Sequence, residues 1–244
     1  MIKSCSQRHN RLENDPCSYS SALSDDVDSK SVFMNKDSLA AFIEHIHPRF
    51  VPEASSRVGF TFCLGGLATL MFLVEIFTGS LLLLYYAPSL SSAYQSVQRI
   101  TYQTPFGFVF RNLHYWGGQF MVILVVFHMV RVFWTRSYLA PRRLNWIIGI
   151  LLLALVFFLD FTGYLLVWDD RALWAWTIAR HLTERIPLIG DGLALAFLGP
   201  LELEDLCLIR LYAWHIFILP VILIFVMALH FWKIRKDGGI STPL

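Results

Sequence analysis

Four histidines fall inside strongly apolar segments and come as two pairs, His114 with His128 and His215 with His230. The members of a pair lie fourteen or fifteen residues apart, close to four helical turns, so both face roughly one way about 21–23 Å apart. An imidazole in hydrocarbon is costly unless it hydrogen-bonds or ligates, and neutral imidazole is a common ligand of haem iron. The chemistry on offer is therefore two metal-bearing layers, one per membrane leaflet. For a single histidine the plainer alternative is a buried ring satisfied by a neighbouring Ser, Thr or carbonyl. Two pairs at matched spacing weigh against it.

Glycines repeat the interval. Gly65 and Gly79 lie fourteen apart in one apolar segment, and Gly149 and Gly163 fourteen apart in another. A macrocycle between helices needs positions where the backbone comes close without a Cβ. Small residues also serve ordinary helix packing in membranes. Glycines on two helices and histidines on the other two, at one interval, are what a bundle around two stacked macrocycles requires.

The elements that must position these residues are membrane spans. The 244 residues are 56% hydrophobic, with a mean hydropathy of +0.54, which excludes an ordinary soluble domain. The pattern predicts an all-α membrane protein, a four-helix transmembrane bundle with spans at about 60–86, 114–134, 146–168 and 212–232. Trp134, Trp146, Trp168 and Trp232 sit near span ends, as an aromatic belt would. The link between the second and third spans carries Arg136, Arg142 and Arg143, and the C-terminus Lys233, Arg235 and Lys236. The link between the third and fourth is acidic. The positive-inside rule then puts both termini on the cytoplasmic, or n, side. His114, His215, Gly79 and Gly163 share the opposite, p-side level, and His128, His230, Gly65 and Gly149 the n-side level.

Residues 1–35 read as a flexible n-side extension, and 36–244 as the helical domain, opening with a surface amphipathic helix at about 36–58. The 169–211 link is too apolar for a free loop and predicts short helices along the p-side surface. No repeat or nucleotide fingerprint stands out, and nothing points to a nucleic-acid partner. Cys5 and Cys17 lie in the extension, Cys207 reads as a small apolar filler, and Cys63, taken alone, as helix packing.

The stretches 62–88 (FCLGGLATLMFLVEIFTGSLLLLYYAP), 110–118 (FRNLHYWGG), 127–133 (FHMVRVF), 161–170 (FTGYLLVWDD), 186–190 (IPLIG), 213–220 (AWHIFILP) and 230–244 carry a family resemblance. The chain resembles the cytochrome b6 type of the cytochrome b family, the four-helix N-terminal half carrying two b haems. The fifteen-residue interval in the fourth helix resembles the b6 branch. The resemblance implies electron transfer within a quinol:cytochrome c (or plastocyanin) reductase, from p-side quinol oxidation to the n side. It implies haem b at His114/His215 and at His128/His230, and an n-side haem c attached covalently through Cys63. The partners it implies are a subunit IV-like chain with the other half of cytochrome b, a Rieske iron-sulfur protein and a c-type cytochrome, in a dimeric complex. The expected site is the bacterial cytoplasmic membrane rather than a thylakoid.

Arg111, Arg131 and Arg235 flank the haem levels and suit haem propionates, the alternative being lipid-facing snorkelling. The chain departs from the family at Val167, where a proline follows the TGY motif, at WDD in place of a WDQ-like stretch, and at Glu75 in place of a glutamine. Tyr164, Val167 and Trp168 are expected to contribute to an altered quinol site. Glu75 and Asp160 lie roughly 21–23 Å from the n-side face, at the p-side haem level. Isolated acids there should be protonated or paired, to tune the haem, relay protons or simply hydrogen-bond within the bundle. The rival readings are a di-haem anchor of a hydrogenase or formate dehydrogenase, and a cofactor-free membrane subunit.

Overall fold

The computed structural model describes residues 63–200 and 205–237. The N-terminal extension, the expected helix at about 36–58, Cys5 and Cys17 lie outside them. Among the described residues there are helices and no strands. The helices are α1 (Leu64–Leu83), α2 (Ala93–Tyr102), α3 (Gly107–Trp134), α4 (Arg143–Leu165), α5 (Asp170–Glu184), α6 (Gly190–Leu198), α7 (Asp205–Ala213) and α8 (Leu219–Lys236). A wide five-residue turn, Trp214–Ile218, fuses α7 to α8, so the fourth span runs continuously over Asp205–Lys236. Among the described residues, four helices are long and apolar enough to cross a membrane: α1, α3, α4 and this composite.

The bounds differ from the expected spans in instructive ways. The second span begins at Gly107, so His114 lies about two turns inside it rather than at its mouth. Hydropathy marks the hydrocarbon, whereas a helix continues while its backbone groups stay paired, as Asn112 Nδ2 donating to Phe108 O illustrates. The third span stops at Leu165 because Trp168 adopts a left-handed backbone, φ 54°, and Asp169 then caps α5 by accepting from Ala172 N at 2.9 Å. Trp168 is thereby withdrawn from the aromatic belt. It is only 7% exposed and packs among Ala172, Trp176, Leu198 and Leu211, while Trp134 and Trp232 do stay exposed. The link after α4 forms helices, as its apolar composition predicts. Cys207 is fully buried, as a filler should be.

In the bundle α1 packs chiefly on α3, α4 on α8, and α3 on α4. Two apolar clusters result. One is Phe72, Met121, Leu155, Val156, Leu159, Leu219, Leu223 and Val226, every residue of which falls in sequence between the glycines or histidines of its own helix. It is the spacer that holds two layers apart. The other joins Leu165 and Trp168 to α5, α6 and α7, at the end of the bundle nearer His114 and His215.

Candidate functional site: two imidazole layers

Each of the four predicted glycines faces one of the four predicted histidines. A Cβ at Gly79 would lie 3.0 Å from Cε1 of His114, and one at Gly163 2.7 Å from Cε1 of His215. At the other layer the corresponding distances are 3.3 Å from Gly65 to His128 and 3.7 Å from Gly149 to His230. So α1 serves α3 and α4 serves the fourth span, in the same two layers that the intervals imply. What the missing Cβ atoms admit at close range is the imidazole ring itself, where the sequence pattern suggested room for a macrocycle.

In the 114/215 layer the two rings oppose each other, centroids 6.1 Å apart and planes at 84°. Their Nδ1 atoms are held by paired threonines. Thr78 Oγ1 donates to Val74 O at 2.7 Å and lies 3.1 Å from His114 Nδ1; Thr162 Oγ1 donates to Phe158 O at 2.8 Å and lies 3.1 Å from His215 Nδ1. Because each hydroxyl proton is committed to its own helix, the oxygen can only accept, so Nδ1 must carry the ring hydrogen. Leu159 O, 3.1 Å from His215 Nδ1, and Glu75 Oε2, 3.0 Å from His114 Nδ1, impose the same tautomer. Both Nε2 atoms are left with a lone pair. Imidazoles that ligate a metal through one nitrogen are ordinarily fixed in this way through the other. Two such rings on one metal, at about 2 Å from each nitrogen, would place their centroids roughly 6 Å apart. This donor set fits a bis-imidazole iron.

Thr78 and Thr162 were not among the residues the sequence singled out, although a signal for them exists. Phe77-Thr78-Gly79 recurs as Phe161-Thr162-Gly163, a short internal repeat overlooked in a chain where no repeat stood out. Both threonines are buried, Thr78 to 1% exposure and Thr162 to 7%.

The fifteen-residue interval also has a structural reason. At 100° per residue, fourteen residues fall about 40° short of four turns and fifteen overshoot by about 60°. The turn at Trp214–Ile218 closes with Leu219 N donating to Trp214 O, five residues back, and so takes up the extra residue. Pro220, without an N–H, sits just inside α8. His215 therefore keeps the register that fourteen residues give His114.

The second layer is less furnished. His230 Nδ1 is buried with no hydrogen-bond partner among the described residues. Arg131 lies one turn past His128 and within electrostatic reach of Arg142, Arg111 is half-buried one turn before His114, and Arg235 is exposed. Cys63 is exposed at the start of α1, two residues before Gly65, with a left-handed backbone at φ 50°.

Glu75 and Asp160 do converge. A Cβ at Gly118 would lie 3.8 Å from Glu75 Oε2 and 3.9 Å from Asp160 Oδ1, and Gln119 Nε2 donates to Asp160 Oδ1 at 2.8 Å. By helical position they lie about one turn inward of the 114/215 layer rather than level with it, and Glu75 reaches back to the ring. Tyr164, Val167 and Trp168 do not converge on one pocket: Tyr164 is exposed and Trp168 is buried in the end cluster. Nearby, Tyr86 stacks on Tyr212 at 5.4 Å and donates to Leu166 O at 2.8 Å. Burial, with Tyr212 adding to it, pushes the Tyr86 phenol well up, so it acts as a neutral donor.

Comparison with known proteins bears on all of this. Residues 51–238 match the model of the family described as cytochrome b/b6/petB. The chain is 37% identical over 202 residues to the menaquinol:cytochrome c reductase cytochrome b subunit of Geobacillus thermodenitrificans, covering 82% of this chain and 90% of that one. It is 40% identical over 193 residues to cytochrome b6 of Heliomicrobium gestii, covering 79% and 90%. Among solved structures, a chain of a hyperthermophilic respiratory Complex III superposes with a TM-score of 0.72 at 30% identity. That match takes in 85% of this chain and 55% of the other, so this chain spans about half its length.

Proposed function

The chain belongs to the cytochrome b/b6 family, and from that premise we propose that it is the haem-bearing membrane subunit of a quinol:cytochrome c reductase. Its four apolar spans make it an integral membrane protein. The observation that carries the proposal is the opposition of His114 and His215, each with Nδ1 bonded and a glycine against its ring. His114 with His215, and His128 with His230, would each hold one haem b. Bound haem would supply one-electron carriers at two depths in the membrane.

The protein's own part is to fix the tautomers of His114 and His215, keep the layers apart with the apolar spacer, and exclude water from the bundle centre. The 114/215 layer is assigned to the p side, because the basic link with Arg136, Arg142 and Arg143 joins the other ends of α3 and α4. Quinol oxidised on that side is the proposed substrate; Tyr164 is exposed at that end of α4, and Trp168 contributes only through the packing of the end cluster. A subunit IV-like chain carrying the other half of a cytochrome b is a proposed partner. A Rieske protein and a c-type cytochrome complete a dimeric complex in a bacterial cytoplasmic membrane. Arg111, Arg131 and Arg235 are proposed propionate partners.

The layer assignment is tested by reduced-minus-oxidised spectra of single variants. His114→Ala and His215→Ala are expected to remove one and the same haem and leave the other; loss of a common haem from His114→Ala and His128→Ala would refute it. Cys63, exposed at the His128/His230 end of α1, is the proposed thioether site of a haem c. Cys63→Ala is then expected to abolish covalent haem staining of the denatured chain while sparing the b-type spectrum, and persistent staining would exclude it.

A further inference from the structure

We propose that Glu75 is a positioning residue for His114, and that its carboxylate strengthens that imidazole as a ligand and so lowers the reduction potential of the 114/215 haem selectively. The proposal rests on the bis-histidine reading above. Its starting point is the short internal repeat. Thr78 and Thr162 hold His114 and His215 alike, both at 3.1 Å, and Gly79 and Gly163 make room for the two rings alike. Stepping back three residues from each threonine breaks the likeness. His215 Nδ1 meets Leu159 O, a neutral helix carbonyl, at 3.1 Å, whereas His114 Nδ1 meets Glu75 Oε2 at 3.0 Å.

Thr78 alone already satisfies the single hydrogen on Nδ1. A carboxyl group placed deep in an apolar bundle is costly, so a second acceptor of that kind is surplus to structural need. Its side chain is only 11% exposed, and Oε1 is buried without a hydrogen-bond partner among the described residues. The arrangement depends on Gly117, where a Cβ would stand 2.2 Å from Glu75 Oε1. Hydrogen bonding from Nδ1 to a carboxylate draws the ring hydrogen outward and raises the basicity of the other nitrogen. A stronger donor favours the oxidised iron, and hydrogen bonding around axial ligands is one of the levers by which proteins set haem potentials. The acid nearest Glu75 from α4 is the half-buried Asp160, on the other side of Gly118, and it is paired with Gln119 of α3. Neither substitutes for the contact to His114.

The experiment is redox titration of both b haems in the assembled membrane complex, with low-temperature EPR of the low-spin signals. Glu75→Gln keeps an acceptor and removes the charge; it is expected to raise the midpoint of the 114/215 haem and move its EPR signal, leaving the 128/230 haem as in wild type. Gly117→Ala keeps the charge but displaces the carboxylate, and is expected to shift the same haem the same way by less. This second variant decides the matter if the first fails to assemble. Wild-type midpoints in both variants, or equal shifts in both haems, would overturn the proposal while leaving the ligand assignment intact. If the wild-type complex binds no bis-imidazole haem, the ligand assignment falls first and this proposal with it.

Discussion

The two imidazole layers are built from one pattern and furnished differently. In both, a glycine on α1 faces a histidine on α3, and a glycine on α4 faces a histidine on the fourth span. In the 114/215 layer a Cβ at the glycines would lie 2.7 and 3.0 Å from the rings, and both Nδ1 atoms have acceptors. In the 128/230 layer the distances relax to 3.3 and 3.7 Å, and His230 Nδ1 lacks a partner among the described residues. The first layer also lies between two apolar clusters, whereas the second has a described cluster on one side only. Spacing selects which side chains meet. Their neighbours decide how firmly each ring is held.

The sharpest way to break this comparison is to add a Cβ. Gly163→Ala would put a methyl group 2.7 Å from the His215 ring, a contact that forces the ring or helix to move. Such overpacking costs about 1–3 kcal/mol, which corresponds to roughly five- to 150-fold weaker retention of the haem beside it. Gly149→Ala, at 3.7 Å from His230, meets ordinary van der Waals contact and should be nearly silent. Reduced-minus-oxidised spectra of the two variants are expected to show loss in the first layer for Gly163→Ala and little change for Gly149→Ala. Equal losses would mean that the layers do not differ in tightness.

Much of this architecture was legible in the chain because a bilayer permits few polar side chains. Four histidines and two acids against apolar helices stand out because each costs enough to demand a partner, and the glycines stand out by repeating the histidine interval. The threonines did not stand out. A hydroxyl bonded to its own helix is cheap in a membrane, and Phe-Thr-Gly is short, flanked by lipid-facing positions where any apolar residue serves. The wide turn at Trp214–Ile218 was visible only as one residue too many between His215 and His230, since a backbone adjustment leaves little signature beyond Pro220. Counting along a hydrophobic run cannot detect a left-handed residue, and that single residue turns the Trp168 ring inward, away from the expected aromatic belt.

The smallest expected effect concerns the threonines, and it separates the two halves of the first layer. Thr162→Val removes one acceptor from His215 Nδ1 and leaves Leu159 O; Thr78→Val removes one from His114 Nδ1 and leaves Glu75. Valine matches threonine in shape, so the change is confined to the hydroxyl. A neutral hydrogen bond contributes about 0.5–1.5 kcal/mol, or roughly a twofold to tenfold effect on haem retention. Charge-assisted bonds are about twice as strong as neutral ones, so the acceptor left to His114 compensates better than the carbonyl left to His215. Thr162→Val should therefore lower the temperature at which the 114/215 haem is lost more than Thr78→Val does, with the 128/230 haem unmoved in both. Thermal loss of each reduced haem band measures this directly. The reverse order would mean that Glu75 contributes less to holding His114 than a backbone carbonyl contributes to His215, and the asymmetry within the layer would have to be read the other way.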